Sequence, residues 1–172
     1  MKKENEFLCE LILKYITNHV EQSGARGIVL GLSGGLDSAV SAFLSREALG
    51  NDRVLGLILP YRLSSPQSVL DAKYVADSLG IECREIDLTP QIDAYCQHFD
   101  RMGNLRLGNK IARERMAVLY DYSTVLNLLV LGTNNKSEWL LGYFTMWGDG
   151  VAALEPLGDL YKTEVVRLAK YL

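Results

Sequence analysis

The run Gly31-Leu32-Ser33-Gly34-Gly35-Leu36-Asp37-Ser38 brings backbone freedom, two hydroxyls and one carboxylate into a single turn. Ile28, Val29 and Leu30 before it read as the end of a buried parallel strand, and Ala39, Val40, Ala42, Phe43 and Leu44 after it begin a helical pattern. A glycine-rich turn between strand and helix lets successive backbone N–H groups converge on an anion, at a helix N-terminus whose dipole favours negative charge. Ser33 and Ser38 offer hydroxyls to a phosphate, and Asp37 offers a hard oxygen ligand suited to Mg²⁺. The Gly-Lys-[Ser/Thr] of a Walker A loop is missing, and Asp37 stands about where its lysine would be. The chemistry therefore points away from γ-phosphate transfer. It points to a pyrophosphate cradle, with a nucleoside triphosphate cleaved between its α and β phosphates.

A second apolar run, Leu128-Leu129-Val130-Leu131, leads into Gly132-Thr133-Asn134-Asn135-Lys136-Ser137-Glu138. If both loops lie at one edge of a sheet, Asp37 and Glu138 become a pair of carboxylates able to share Mg²⁺ against a departing pyrophosphate. Thr133 reads equally as a nucleotide hydrogen-bond donor and as a helix cap. Lys162 offers a point charge for phosphate, or is a solvated lysine on the first turn of the last helix. Arg113 and Arg115 stand two apart on a helical pattern, so they point in different directions and only one can face a given ligand. Arg62 follows Leu59-Pro60-Tyr61, where an adenosine or its phosphate would lie beyond the second strand.

These residues need elements to hold them. Phe7, Leu8, Leu11, Ile12, Tyr15, Ile16 and Val20 recur at helical spacing and predict an amphipathic helix over about 4–22. Strands are expected at 27–32, 53–60, 81–87 and 128–132, with helices near 37–49, 66–79 and 109–126 between them. Strands alternating with helices give an α/β fold, a doubly wound parallel sheet with helices on both faces. The ligand then lies beyond the carboxyl ends of the strands where the winding reverses. Residues 100–108 read as a functional or mobile loop. The apolar faces of residues 7–20 and 116–126 suit either a subunit contact or intramolecular packing.

The chain has 172 residues, 48% of them hydrophobic, which suits one domain spanning 1–172. A net charge of −3 without a Lys/Arg block gives little support to nucleic-acid or acidic-membrane binding. Cys9, Cys83 and Cys96 form no CxxC pair, so neither a disulfide framework nor a zinc site is expected and a reducing cytoplasm fits best. No apolar run is long enough for a membrane span. His19 and His98 lie outside every motif.

The Ser33–Ser38 segment resembles the Ser-Gly-Gly-x-Asp-Ser loop of the N-type ATP pyrophosphatases. The order Gly132-Thr133…Glu138, Gly142-Tyr143-Phe144-Thr145, Gly148-Asp149-Gly150 and Pro156-Leu157 with Lys162 is similar to the ammonia-dependent NAD synthetases within that superfamily. The block Gly108-Asn109-Lys110-Ile111-Ala112-Arg113-Glu114-Arg115-Met116 resembles the family's Gly-Asn-x-x-Ala-Arg-x-Arg-Met helix, so the likeness spans about 28–171. It implies adenylation of the carboxylate of nicotinic acid adenine dinucleotide by ATP with Mg²⁺, then amination by ammonia to NAD, in a homodimer. It also implies ATP contacts at residues 31–38, Arg62, Thr133 and Lys162, metal contacts at Asp37 and Glu138, and a dinucleotide contact at Arg113. Asp37 and Lys162 would be the catalytic pair, and Arg115 an ion-pair partner elsewhere.

The family pattern has a lysine where Met146 stands and an aspartate where Ala153 stands, both on the dinucleotide side. Asn135 replaces the histidine of many bacterial members. The family also continues beyond the point matched by Leu172, so the chain reads as lacking a C-terminal segment. The ATP half of the pattern is complete, while the acceptor half departs from it. A paralogue adenylating another substrate, or a nucleotide-binding module without catalysis, are the alternatives.

Overall fold

The computed structural model describes residues 2–172. Its core is a four-stranded sheet of β1 (Gly27–Gly31), β2 (Val54–Ile58), β3 (Glu82–Glu85) and β4 (Leu128–Leu131), in the order β3-β2-β1-β4 with every pair parallel. Helices α1 (Lys2–Ser23), α2 (Leu36–Leu49), α3 (Pro66–Leu79), α4 (Thr89–Cys96), α5 (Asn104–Leu126), α6 (Lys136–Leu141) and α7 (Lys162–Tyr171) surround it. The doubly wound α/β architecture expected from the alternation is the one observed.

Alternation along the strands assigns the two faces. Ile28, Leu30, Val54, Ile58 and Leu131 pack into a core with Ile12, Ile16 and Val20 of α1, Val40 and Leu44 of α2, Ala72 and Ala76 of α3, and Val165 and Leu168 of α7. Val29, Leu55, Leu57 and Val130 point to the other face, against Ile92 of α4 and Met116 and Leu119 of α5. Strands buried on both faces explain why β1, β2 and β4 read as continuous apolar runs. β3 is the exception, an edge strand whose charged Glu82, Arg84 and Glu85 are exposed and only Cys83 is half-buried. The buried stripe of α1 packs within the chain, while Phe7 and Leu11 stay exposed.

Two expectations need correction. The segment 100–108 is not wholly a loop, because α5 starts at Asn104, capped by an extended Gly103. Gly108 sits inside that helix, where one glycine among good helix formers is tolerated. The helix α4 had no counterpart in the sequence reading: only eight residues long, it carries a proline in its first turn. No helix among the described residues is long and apolar enough to cross a membrane. All three cysteines are free.

Candidate active site

Because the strands are parallel, their C-terminal ends share one edge, and the winding reverses between β1 and β4. The loop after β1 and the loop after β4 meet there and line a cavity of about 510 Å³. Gly31, Leu32, Ser33, Gly35, Asp37 and Ser38 come from the first loop and the start of α2. Gly132, Thr133, Asn134 and Glu138 come from the second.

The first loop is anchored before it turns. The Leu32 N–H donates to the Leu57 carbonyl at 2.8 Å, and the buried Leu32 side chain fills the space left by Gly56, where a Cβ would fall 2.5 Å from it. Gly34 adopts φ +77°, and a Cβ there would lie 2.3 Å from the Ser68 carbonyl oxygen. Only glycine allows both that turn and that approach to α3. The hydroxyls turn inward: Ser38 Oγ donates to the Gly35 carbonyl at 2.9 Å and accepts the Ser33 N–H at 3.3 Å. Ser33 Oγ lies 3.0 Å from Ser38 Oγ and accepts the Gly35 N–H at 3.2 Å. They brace the loop, while α2 begins without a side-chain cap and so leaves its first-turn amides to a ligand.

Asp37, in that first turn, is ion-paired through Oδ2 with Lys162 Nζ, the residue that opens α7. Its Oδ1 accepts from Asn135 Nδ2 at 3.4 Å. Asn135 caps α6 in a reciprocal box: its Oδ1 accepts the Glu138 N–H at 3.1 Å, and its own N–H donates to Glu138 Oε2 at 3.0 Å. One buried asparagine therefore links both candidate metal carboxylates. Since Asn135 is the cap, Thr133 is not, and Thr133 lines the cavity instead. The Asn-x-x-Glu spacing is a capping-box signal that sequence reasoning could have used and did not. The Lys162 N–H bonds Ser137 Oγ at 3.1 Å, which ties the start of α7 to α6.

Glu155 was missed altogether. Its carboxyl group occupies the space a Cβ on Gly132 would need, 2.1–2.3 Å from that point, and Oε2 accepts the Asn134 N–H at 3.2 Å. Oε1 is buried without a hydrogen-bond partner. Burial pushes the acid up to about 7, with the Asp149 and Glu138 charges adding to the shift and the Asn134 N–H opposing it. Asn134 Nδ2 also donates to the Asp149 carbonyl at 2.7 Å, which fastens the loop after β4 to the segment around 149.

The sequence matches the family model for NAD synthase over residues 8–172. It is 47% identical over 161 residues to an NH(3)-dependent NAD(+) synthetase of Fusobacterium nucleatum, covering 94% of this chain and 62% of that protein. The fold superposes on an NH3-dependent NAD synthetase of Campylobacter jejuni, solved with a nitrate ion, at a TM-score of 0.93 and 41% identity, covering 97% of this chain and 72% of that one. It superposes on an NMN synthetase of Francisella tularensis at 0.91 and 36% identity, covering 97% and 70%. The chain belongs to the NAD synthase family. It spans less than two thirds of the length of the Fusobacterium relative.

Seen as a family site, the cavity gathers residues 31–33, 35, 37, 38, 133 and 138 from the sequence reading. Gly34 shapes the loop from behind, and Leu36 and Lys162 stand outside the lining, although Lys162 reaches Asp37. Arg62 lies apart, its Nε 3.0 Å from Tyr61 Oη and 3.3 Å from Asp93 Oδ1. Arg113 is exposed outside the lining and donates from Nε to the Met146 carbonyl at 3.0 Å. Arg115, expected to form an ion pair elsewhere, instead lines the cavity and donates to a carbonyl, that of Leu59, at 3.0 Å. Met146 and Trp147 are 63% and 70% exposed, on a loop fixed by Thr145, whose N–H bonds Asp149 Oδ1 at 2.7 Å and whose Oγ1 bonds Asn109 Oδ1 at 2.9 Å. Trp147 carries a left-handed φ of +61° there.

Among the described residues no three His, Cys, Asp or Glu side chains gather to hold a metal. Two carboxylates in a phosphate cradle suit Mg²⁺, which takes one or two protein carboxylates and completes its shell with phosphate oxygens and water. Asp37 and Glu138 would be the residues to hold such an ion.

Proposed function

We propose that this chain carries the adenylating site of an ammonia-dependent NAD synthetase, acting with ATP and Mg²⁺ on nicotinic acid adenine dinucleotide. The observation that carries this reading is the meeting of the lysine-free cradle of residues 31–38, Asp37 included, with Glu138 across the β1/β4 switch point. In the first step a carboxylate oxygen of the acceptor attacks the α phosphorus, the bond to the bridging oxygen breaks, and pyrophosphate leaves. Ammonia then attacks the acyl carbon, the bond to AMP breaks, and the nitrogen loses a proton to give the amide.

First-turn amides of α2 hold phosphate oxygens, and Lys162 moves from Asp37 to the leaving group when the nucleotide enters. Asp37 and Glu138 would hold Mg²⁺, which supplies charge neutralisation on the departing pyrophosphate. Positioning and charge neutralisation supply the catalysis, and no covalent enzyme intermediate is required. A homodimer would use what the two offered faces leave exposed, Phe7, Leu11 and Val125, since Ile12, Ile16, Met116 and Leu119 pack within the chain. Three free cysteines support a reducing cytoplasm.

A second reading concerns the acceptor alone. Met146 and the exposed Ala153 offer no charge on that side, and the likeness to an NMN synthetase supports a mononucleotide carboxylate as the alternative. Mass spectrometry of products from ATP, Mg²⁺, ammonium and nicotinic acid adenine dinucleotide tests both. AMP with NAD in equal amounts is the expected result. AMP formed only with a different carboxylate transfers the case to the second reading, and no AMP with any carboxylate, despite ATP binding, overturns both.

A further inference from the structure

Four charged side chains line the cavity: Asp37, Glu138, Asp149 and Arg115. Arg115 is thus its one cation. Asp37 already has Lys162 and Asn135 as partners, whereas Arg115 makes no ion pair among the described residues. Its Nε–H donates to the Leu59 carbonyl at 3.0 Å, one residue past the end of β2. That bond fixes the plane of the guanidinium and leaves the terminal Nη donors as the part able to meet a ligand.

A half-buried guanidinium with no anion in direct contact is an unfavourable arrangement, and burial draws its pKa down from the usual arginine value, with the more distant Asp149 charge opposing. A neutral donor would satisfy the Leu59 carbonyl as well and would avoid the desolvation. The charge is therefore the informative property. The placement is informative too: Asp37 and Glu138 stand together beside the loop after β4, and Arg115 stands on the β2 side of the cradle. A ligand that brings a metal-bound phosphate to the acidic side can present a second anionic group to the other.

We infer that Arg115 binds an anionic oxygen pair of a bound ligand, either a nucleotide phosphate or the carboxylate of the acceptor. Its neighbour Arg113 is committed to the Met146 carbonyl and lies outside the cavity. The inference rests on the adenylating reading of the site, but its test needs binding alone and not turnover.

Calorimetric titration of the protein and of Arg115→Met and Arg115→Lys with ATP, and with nicotinic acid adenine dinucleotide, separates the sources of the anion. Arg115→Met weakening ATP about 10- to 100-fold identifies the nucleotide phosphate, and the same loss confined to the dinucleotide identifies the carboxylate. Arg115→Lys recovers part of the lost affinity, because charge returns without the planar fork. The unliganded Arg115→Met protein melts no lower than wild type, since an unpaired cation has been removed from a half-buried site. Unchanged affinity for both ligands, or a fall in affinity explained by a lower melting temperature, overturns the inference. Wild-type protein that binds ATP but never releases AMP removes the ligase reading and leaves the Arg115 measurement intact, while wild type that binds neither ligand overturns both.

Discussion

Replacing Glu155 by glutamine tests the electrostatics of the site through stability. In the folded protein this carboxyl lies against Gly132, one oxygen accepting the Asn134 N–H and the other buried without a partner, and its pKa is raised from 4.5 to about 7. The folded state therefore binds the proton more tightly than the unfolded chain. The stability this contributes is fully present below about pH 4.5 and is lost as pH rises through about 7. At 1.36 kcal/mol for each unit, a shift of this size corresponds to about 3 kcal/mol, and water at the partly exposed side of the residue brings the expectation to about 1–3 kcal/mol. Glu155→Gln keeps the shape and removes the titration. Thermal melts from pH 4.5 to 8.5 are expected to give a difference curve in which the variant gains on wild type by about 2–10 °C, nearly all of it between pH 4.5 and 7. Parallel curves across that range would refute the claim that burial of this carboxyl costs the folded protein stability at neutral pH.

Gly34→Ala forces a side chain into a φ of +77° and against the Ser68 carbonyl, so melting should show a loss of at least about 1–2 kcal/mol together with weaker ATP binding. Asn135→Ala removes the α6 cap and the link to Asp37; stability should fall by about 0.5–2 kcal/mol, and the Mg²⁺ concentration needed for half-maximal AMP formation should rise. Asp37→Ala breaks an ion pair with an exposed lysine, so stability should change by less than about 1 kcal/mol while Mg²⁺-dependent AMP formation is abolished.

What could be read in the sequence followed from local periodicity. Apolar strands bounded by helical patterns locate β1, β2 and β4 within a residue or two, and their order alone places the 31–38 loop opposite the 132–138 loop. The charged β3 is legible only as part of that alternation, since three of its four residues are exposed. What could not be read depended on packing between distant elements. Spacing shows that Arg113 and Arg115 diverge, but which one faces the cavity is set by how α5 lies on the end of β2, through the Leu59 carbonyl. No local pattern singles out Glu155, an acid beside a proline. Its burial arises from Gly132 and Asn134, more than twenty positions earlier in the chain. Asn135 lay in plain view as a substitution for a family histidine, and its capping spacing to Glu138 held the better clue.

The chemistry proposed for this cavity joins a carboxylate to the α phosphorus of ATP. The most direct test supplies ATP, Mg²⁺ and ammonium with an acceptor whose carboxylate carries ¹⁸O, and follows the label by mass spectrometry. One labelled oxygen appearing in AMP, with unlabelled pyrophosphate released, is the predicted result. AMP formed without label, or ADP in place of AMP, would contradict the account.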